Sequence, residues 1–501
     1  MPASFKSWFK HNDLLLVLAL SKLLIHLLIS NNFGYFADEL YYKVASERLA
    51  FGYIDFQPLI AFIIKAAVFI FGDSVSGLRV LAAVAGATLV FLTGVITREL
   101  GGNKFAQGIA ALAVIIAPAF LGISNLMTPN VFSLLFWSLV IYLCIKIYEN
   151  NQPRHWIVLG IILGIGILNK ASIVFLIILL IIGLLIERRY DIFKNKWFYI
   201  SILIGGLISL PLIIWQIQND FLSLQFFMDP TRRGGLNVYS VYYLIGQVLY
   251  HHPLNFPLLL MGLYFFFFGG GRRYRIFGWV YVIGFSVFFI TKAKVYYMSP
   301  IYPFIFAGGA VVLGSFINKL NSKWVKPAII TVMILGGIIT APAFLPVFPE
   351  DNMRQYINYI RLIGYSNLPE AKYIIKDMRG WETLAERVAE VYYGLTPEKR
   401  ESCVILADYY PETSALNLFG DKYGLPPVYS RHNNYFLWGK GNINGGQTAI
   451  FVGIDTEHVE DIYGDIKLVS TGEHAVKQKI FLCSDPILSL KENWSNLGVY
   501  F

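Results

Sequence analysis

The sequence predicts a polytopic α-helical membrane protein that carries a polar α/β domain at its C-terminal end. The chain has 501 residues, of which 56% are hydrophobic and 15% are charged, whereas a soluble domain has about a quarter of its residues charged. Runs such as DLLLVLALSKLLIHLLIS and ASIVFLIILLIIGLLI approach the roughly 20 apolar residues that cross a bilayer. From residue 346 the long apolar runs stop, and Asp, Glu, Asn and Pro become frequent. We therefore predict a membrane domain over residues 1–345 and a second domain over residues 346–501.

Eleven apolar segments are predicted to cross the membrane, and a twelfth, residues 58–72, is predicted to lie on its surface. As a helix the twelfth would be about 22 Å long, shorter than the bilayer core of about 30 Å. Eleven spans also place five basic loops on the side of the basic N-terminus, as the positive-inside rule requires. These loops are RELGGNK, KIYENNQPRH, ERRYDIFKNK, GGGRRYR and NKLNSKWVK. The predicted spans are 13–30, 78–98, 104–122, 129–148, 155–169, 171–187, 197–216, 241–268, 274–291, 296–316 and 325–345.

The loop over residues 31–77 is expected outside the cytoplasm, together with the C-terminal domain. Within this loop, helices over 37–50 and 58–72 are expected along the membrane surface, because charged residues interrupt the apolar positions of the first as in an interfacial amphipathic helix. The net charge of +9 falls largely in the cytoplasmic loops. It therefore indicates contact with membrane lipids and argues against nucleic acid as a partner.

Short apolar runs alternate with helical patterns in the C-terminal domain, which indicates a small α/β fold. CVILADYY, TAIFVGID and KIFLCSDP are predicted strands, and PETSALNLFGDKYG and EHVEDIYGDI are predicted helices. Cys403 and Cys483 lie here and could form a disulfide outside the cytoplasm, but spacing alone leaves their connectivity open. Cys144, in an apolar segment, is expected to be a packing residue.

An adjacent pair of carboxylates, Asp38 and Glu39, opens the first predicted surface helix, and Asp55 follows that helix. A carboxylate beside a bilayer is unfavourable unless it is hydrated or paired. In one interpretation, one carboxylate acts as a general base while the other binds a hydroxyl or a cation. In the other, Asp38 caps the helix and Glu39 stabilises its positive N-terminal end. The residues alone leave both interpretations open.

Cations in the loops on the same side could together bind an anion at the outer leaflet, and Arg in particular suits bidentate phosphate contacts. The alternative is that these cations contact lipid head groups or pair with carboxylates of the C-terminal domain. They are Lys170, Arg232, Arg233, Lys292 and Lys294, with His251 and His252 at the start of an apolar stretch.

Several segments, in this order along the chain, resemble the GT-C membrane glycosyltransferases. The group they resemble is the bacterial dolichyl-phosphate-mannose-protein mannosyltransferase-like family (glycosyltransferase families 39 and 83), which includes lipid A aminoarabinose transferase. The resemblance extends over about residues 10–345, and the tail resembles the periplasmic domain of bacterial members. The segments are ADELYY, GYIDFQPLIAFIIKAAVFIFG, GLRVLAAVAGA, LMTPNVFSLLFWSLVIYL, YHHPLNFPLLLMG and KAKVYYMSPIYPFIFAGGA.

This resemblance implies a GT-C fold and a polytopic enzyme of the bacterial cytoplasmic membrane. Its expected reaction moves a sugar, with inversion, from a polyprenyl-phosphate donor to a hydroxyl of a lipid or protein acceptor at the outer face. The family's catalytic base corresponds to Asp38, and Glu39, Tyr42 and Asp55 would support it or contact the acceptor. The donor phosphate would meet Arg232, Arg233, Lys292, Lys294, His251 and His252.

Two positions depart from the family pattern. Many relatives have His-Pro-Pro or Lys-Pro-Pro where this chain has Phe56-Gln57-Pro58, so a cation that contacts phosphate is absent there. Many relatives have Asp where this chain has Asn130 after Thr-Pro, and an amide is a poorer metal ligand than a carboxylate. A requirement for a divalent metal, whose ligands would be Asp38 and Glu39, is thus left open.

A transporter or flippase of a lipid-linked sugar is the main rival, and a non-catalytic membrane scaffold is a second. A transporter would account for the many spans and the outer cations, but transporters tend to have charged or broken helices at the centre of the membrane. It would not account for a large outer domain or an acidic surface helix. Walker loops, nucleophile elbows and dinucleotide fingerprints are absent from plausible positions.

Overall fold

The computed structural model describes residues 3–229, 240–320, 322–360, 377–439, 443, 445–472 and 478–500. The chain forms two compact units. The membrane unit is made from residues 1–32, 66–215 and 233–371, and the tail unit from residues 33–65, 216–232 and 372–501. The sequence assigned the loop over 31–77 to the membrane domain, but most of that loop belongs to the compact unit of the tail.

Seven helices within the described ranges are long and apolar enough to cross a membrane, and one bent helix pair supplies an eighth candidate span. The remaining predicted spans correspond to shorter apolar helices, and the chain is a multi-pass membrane protein. The helices up to the start of the tail are α1 (Ala3–Ile29), α2 (Ala37–Glu47), α3 (Leu59–Phe71), α4 (Val75–Glu99), α5 (Lys104–Ile116), α6 (Pro118–Ser124), α7 (Pro129–Asn150), α8 (Pro153–Asn169), α9 (Ser172–Ile186), α10 (Tyr190–Phe193), α11 (Lys196–Gln218), α12 (Leu222–Met228), α13 (Ser240–Tyr250), α14 (Phe256–Phe267), α15 (Arg275–Ile290), α16 (Tyr302–Lys319), α17 (Val325–Thr340) and α18 (Glu350–Ile360).

Two predicted spans are broken by proline. The segment predicted as one helix over 241–268 is divided into α13 and α14, because His252 has a φ of +76° and is followed by Pro253. The segment over 104–122 bends by 66° between α5 and α6 at Pro118. Proline lacks the N–H that continues a helix, and it moves the preceding residue out of the helical region.

Small residues allow helices of the membrane unit to approach closely. A Cβ atom on Gly309 of α16 would lie 2.0 Å from the Leu258 carbonyl oxygen of α14, and one on Gly262 would lie 2.2 Å from the Ile305 carbonyl oxygen. Both positions therefore require glycine, and contact of this kind is typical of helices packed within a bilayer.

Loops predicted to share one side of the membrane meet in the structure. Lys146 Nζ lies 2.9 Å from Glu99 Oε2 and 2.7 Å from Glu149 Oε2, and these groups come from two of the five basic loops. Arg275 and Glu187, from two further basic loops, lie 3.4 Å apart. The alternating order of loops that the charges predicted is thus consistent with the packing of the membrane unit.

The tail unit contains a five-stranded mixed sheet with the strand order β2-β1-β3-β5-β4. Strand β1 is parallel to β2 and β3, and β5 is antiparallel to β3 and β4. Every residue of β1 and β3 is buried, as expected of central strands that are covered on both faces. The strands are β1 (Cys403–Ala407), β2 (Val428–Tyr429), β3 (Thr448–Gly453), β4 (Tyr463–Thr471) and β5 (Lys479–Pro486), and the helices are α19 (Trp381–Tyr393), α20 (Pro397–Glu401), α21 (Tyr410–Phe419), α22 (Asn434–Gly439) and α23 (Leu490–Leu497).

Two expectations for this domain need correction. The predicted helix EHVEDIYGDI is a turn followed by the start of β4, because Tyr463 and the residues after it pair with β5 at the sheet edge. The possible disulfide is not formed: Cys403 lies in β1 and Cys483 in β5, with β3 between them, and both are buried free thiols.

Candidate active site

Helix α2 begins with Asp38 and Glu39 in its first turn. Phe36, in an extended conformation, precedes the helix, and its backbone N–H donates to Glu39 Oε2 over 2.9 Å. Glu39 is fully buried, so its carboxylate fixes the start of the helix. The helix-stabilising role that the sequence left open for both acids is therefore observed for Glu39.

Asp38 is bound by a residue that lies far away in the sequence. The hydroxyl of Tyr410, in the first turn of α21, donates to Asp38 Oδ1 over 2.7 Å. Desolvation, followed by the negative charge of Asp38, raises the pKa of Tyr410 well above its usual range. The phenol thus keeps its proton at neutral pH, and Asp38 accepts this hydrogen bond.

Asp55 joins the loop after α2 to the loop before α22. Its Oδ1 accepts from Tyr41 Oη at 2.9 Å and from Asn434 Nδ2 at 2.8 Å, and its Oδ2 accepts from Asn433 Nδ2 at 2.9 Å. Asn434 Oδ1 in turn accepts from the backbone N–H of Ile54 over 2.9 Å. Asp55 therefore holds the loop after α2 to the segment that leads into α22.

Aromatic rings surround Tyr41 on the side of α2 that also carries Asp38. Its ring centroid lies 4.8 Å from that of Tyr410 and 5.8 Å from that of Tyr435. Tyr42, predicted to support the base or contact the acceptor, is only partly buried and packs edge-on against Phe56 at 4.9 Å. Burial, followed by the charge of Asp55, raises the pKa of Tyr41 well above its usual range, so Tyr41 remains a hydrogen-bond donor.

A second polar cluster holds the chain segment between β1 and Tyr410. Asp408 directly follows β1 and is 2% exposed, and its Oδ1 lies 2.7 Å from His458 Nδ1. The Tyr500 hydroxyl donates to the same oxygen over 3.2 Å, and the Tyr500 ring is stacked on His458 at 3.9 Å. Burial raises the pKa of Asp408, while its hydrogen bond with His458 acts in the opposite direction. This cluster fixes the backbone that presents Tyr410.

The predicted phosphate-binding cations fall into three groups. Lys292 and Lys294 have exposed side chains in the loop after α15 of the membrane unit. Arg232 and Arg233 lie outside the described residues. Lys170, in the same unit, donates to Asn130 Oδ1 over 2.5 Å, and its ammonium lies 5.6 Å from the centre of the Tyr297 ring.

The two histidines predicted to contact phosphate are buried in the membrane unit. His251 Nδ1 lies 3.0 Å from the Gln247 carbonyl oxygen, and its Nε2 lies 3.1 Å from Ser299 Oγ. His252 Nδ1 accepts from the backbone N–H of Leu254 over 3.2 Å. Both ring nitrogens of His251 thus contact the protein, and one ring nitrogen of His252 does so.

The side chains of the described residues do not fit a divalent cation. Within the described ranges, no group of three or more His, Cys, Asp or Glu side chains is placed to hold a metal ion. Glu39 accepts a backbone N–H and Asp38 accepts the Tyr410 hydroxyl, so protein donors engage both carboxylates that the sequence offered as metal ligands. Position 130, which carries Asp in many relatives, holds an amide bound to Lys170.

Sequence reasoning missed the partners of the two key carboxylates. Tyr410 belongs to the run ADYY and the two asparagines to the run HNNY, and neither run matches a catalytic motif. The density of Tyr and Asn in these runs is the signal that could have pointed to them. Only the fold brings these residues to α2.

Comparisons with known proteins agree with this architecture. Residues 55–215 match the family model described as dolichyl-phosphate-mannose-protein mannosyltransferase. A search of curated proteins found no match. ArnT from Cupriavidus metallidurans in the apo state is similar in structure over 100% of both chains, with a TM-score of 0.61 and 14% identity.

Two further solved structures are similar. ArnT from the same organism bound to undecaprenyl phosphate matches 93% of this chain and 97% of its own, with a TM-score of 0.58 and 13% identity. The apo oligosaccharyltransferase of Archaeoglobus fulgidus matches 91% of this chain and 73% of its own, with a TM-score of 0.53 and 13% identity. The resemblance to the GT-C membrane glycosyltransferases that the sequence motifs predicted is therefore confirmed, in fold over the whole chain and in sequence over residues 55–215.

Proposed function

We propose that this protein is an inverting glycosyltransferase of the bacterial cytoplasmic membrane. It transfers a sugar from a polyprenyl-phosphate donor to a hydroxyl group of a lipid or protein acceptor at the outer face of the membrane. The observation that carries this proposal is the partly buried carboxylate of Asp38, which is held at the start of α2 by the hydroxyl of Tyr410.

Asp38 is the general base in this proposal. It removes the proton from the acceptor hydroxyl as the acceptor oxygen forms a bond to the anomeric carbon of the sugar. The bond between that carbon and the phosphate oxygen breaks on the opposite face, and polyprenyl phosphate leaves with the electron pair. Attack and departure on opposite faces invert the configuration of the anomeric carbon.

The cations that the sequence assigns to phosphate binding stabilise the negative charge that develops on the phosphate as this bond breaks. Fixed positive groups in a site that excludes water are effective because they need no reorganisation during the reaction. Lys292 and Lys294 are exposed and available for this role, and Lys170 is oriented by Asn130. Arg232 and Arg233 remain candidates from the sequence. The fold shared with ArnT, which has been solved with undecaprenyl phosphate, supports a lipid-linked donor.

Comparison of cells with and without the gene tests the function. Mass spectrometry of envelope lipids and glycoproteins should find one sugar that is lost without the gene, restored by the wild type and not restored by Asp38→Asn. Asp73→Asn is the matched control, because Asp73 is an exposed acid of the segment between α3 and α4. Full restoration by an Asp38→Asn protein that is expressed at the normal level would refute the base assignment.

The same comparison of cells distinguishes the glycosyltransferase hypothesis from the transporter hypothesis. A flippase would deliver its lipid-linked sugar to the outer leaflet without forming a new glycoside. If cells without the gene lack the donor on the outer face, while Asp38→Asn restores every glycoside, the transporter reading is correct. If cells with the Asp38→Asn variant keep unused donor on the outer face, the protein is the enzyme that consumes this donor.

A further inference from the structure

We propose that Tyr410 is a positioning residue for Asp38, so that the C-terminal domain supplies part of the catalytic centre. This inference rests on the proposed function, in which Asp38 is the base. It concerns a tyrosine that lies 372 positions along the chain from the acid that it binds.

The backbone and ring of Tyr410 are held on several sides within the tail unit. The Ser414 hydroxyl donates to the Tyr410 carbonyl oxygen over 2.5 Å, and Pro411 occupies the first turn of α21. The Tyr410 ring packs against Tyr41 at 4.8 Å and against His432 at 5.5 Å. A donor fixed in this way holds its hydroxyl at one point relative to α2.

A hydrogen bond to one carboxylate oxygen sets the direction of the other. Asp38 has a short side chain on the first turn of a rigid helix, and its remaining freedom is rotation of the carboxylate plane. The Tyr410 hydroxyl removes that freedom by binding Oδ1. It also stabilises the ionised carboxylate of Asp38, which is the form that takes the proton from the acceptor hydroxyl. Loss of the hydroxyl should therefore affect both the orientation and the protonation of the base.

The described groups around Tyr410 have other roles. Tyr42 and Asp55 interact electrostatically with Tyr410, and His432 contacts its ring. The Tyr41 hydroxyl is already bound to Asp55 and Asn434. Tyr435 offers a matched control, because its hydroxyl binds Ser414 at 2.9 Å and its ring is stacked on Tyr41 at 5.8 Å.

The test uses the full chain in lipid nanodiscs and the variants Tyr410→Phe and Tyr435→Phe. Infrared difference spectra against pH report the protonation of Asp38, whose band is identified by its loss in Asp38→Asn. Tyr410→Phe should raise the midpoint of the Asp38 titration by about one pH unit, and Tyr435→Phe should leave this midpoint unchanged. Transfer from the host's polyprenyl-phosphate sugars should fall about tenfold in kcat/KM in Tyr410→Phe, with the acid limb of its pH profile moved by the same amount.

The spectra and the transfer assay fail in different ways. An unchanged midpoint in Tyr410→Phe, or an equal shift in Tyr435→Phe, overturns the inference. If the wild type transfers sugar, Asp38→Asn abolishes transfer and Tyr410→Phe matches the wild type at every pH, the inference is wrong and the function stands. If the wild type transfers no sugar, the proposed function is wrong, and the role of Tyr410 as a positioning residue falls with it.

Discussion

Replacing Asp55 with asparagine tests the connection between the loop after α2 and the rest of the tail unit. Asp55 accepts three hydrogen bonds through its two oxygens. An asparagine can keep its carbonyl oxygen towards Tyr41 and Asn434, but its NH₂ group then faces the NH₂ group of Asn433. Two donors cannot form a hydrogen bond with each other. The two remaining hydrogen bonds, from Tyr41 and Asn434, then have a neutral acceptor in place of a charged one.

The size of the effect follows from these contacts. A hydrogen bond to a charged group contributes about 1.5–3 kcal/mol, and a neutral one about 0.5–1.5 kcal/mol. Asp55 is only partly buried, so solvent reduces the free energy that is lost with these hydrogen bonds. We expect the tail unit to be destabilised by about 2 kcal/mol. This corresponds to opening that is about 30-fold more frequent.

Hydrogen exchange of the full chain in nanodiscs measures this opening through the amides of β1 and β3. Asp55→Asn should exchange about 30-fold faster there, whereas Asp73→Asn should differ little from the wild type. Adding Asn433→Asp to Asp55→Asn restores a carboxylate opposite an amide, and position 433 has a φ of +49°, which Asp tolerates as Asn does. The double variant should recover about 1 kcal/mol relative to additivity. Purely additive effects would refute the proposed contact.

Three further outcomes are expected. Burial raises the pKa of Glu412 to about 7, compared with about 4.3 in the unfolded chain. The stability of the tail unit should therefore fall as the pH rises between these two values. Hydrogen exchange measured at pH 5 and pH 8 should show this fall in the wild type but not in Glu412→Gln. Burial raises the pKa of Cys403 to about 11 and that of Cys483 to about 12, so both should resist alkylation until the protein unfolds, and the intact mass should show three free thiols, with Cys144 as the third. Lys170→Met should raise KM for the lipid-linked donor at least tenfold in the transfer assay, and an unchanged KM would exclude Lys170 from phosphate binding.

Local features of the sequence predicted local features of the structure. The apolar runs predicted the helices of the membrane unit. The basic loops predicted which of the loops between these helices lie close together. Helices were predicted over 37–50 and 58–72, and the structure has α2 and α3 there, with ends within a few residues. Asp38 was placed correctly in the first turn of α2, because an acid at the start of an amphipathic segment is a local signal.

Contacts between distant residues could not be predicted in the same way. Hydrophobic periodicity carries no information about which tyrosine reaches Asp38 or which amides reach Asp55. The acidic run before β4 has the composition of a helix, but pairing with β5 overrides that preference at the sheet edge. Likewise, the broken spans depend on single prolines whose effect on a long apolar run is only partly visible in composition.

The distance in sequence between Asp38 and Tyr410 has a consequence for biogenesis. During translation, the segment with both acids leaves the ribosome long before the tyrosine and the asparagines that bind them. Until the last quarter of the chain has been made, Asp38 lacks the Tyr410 hydroxyl and Asp55 lacks the amides of Asn433 and Asn434. In a nascent or prematurely terminated chain, the surroundings of Asp38 and Asp55 should therefore remain incomplete.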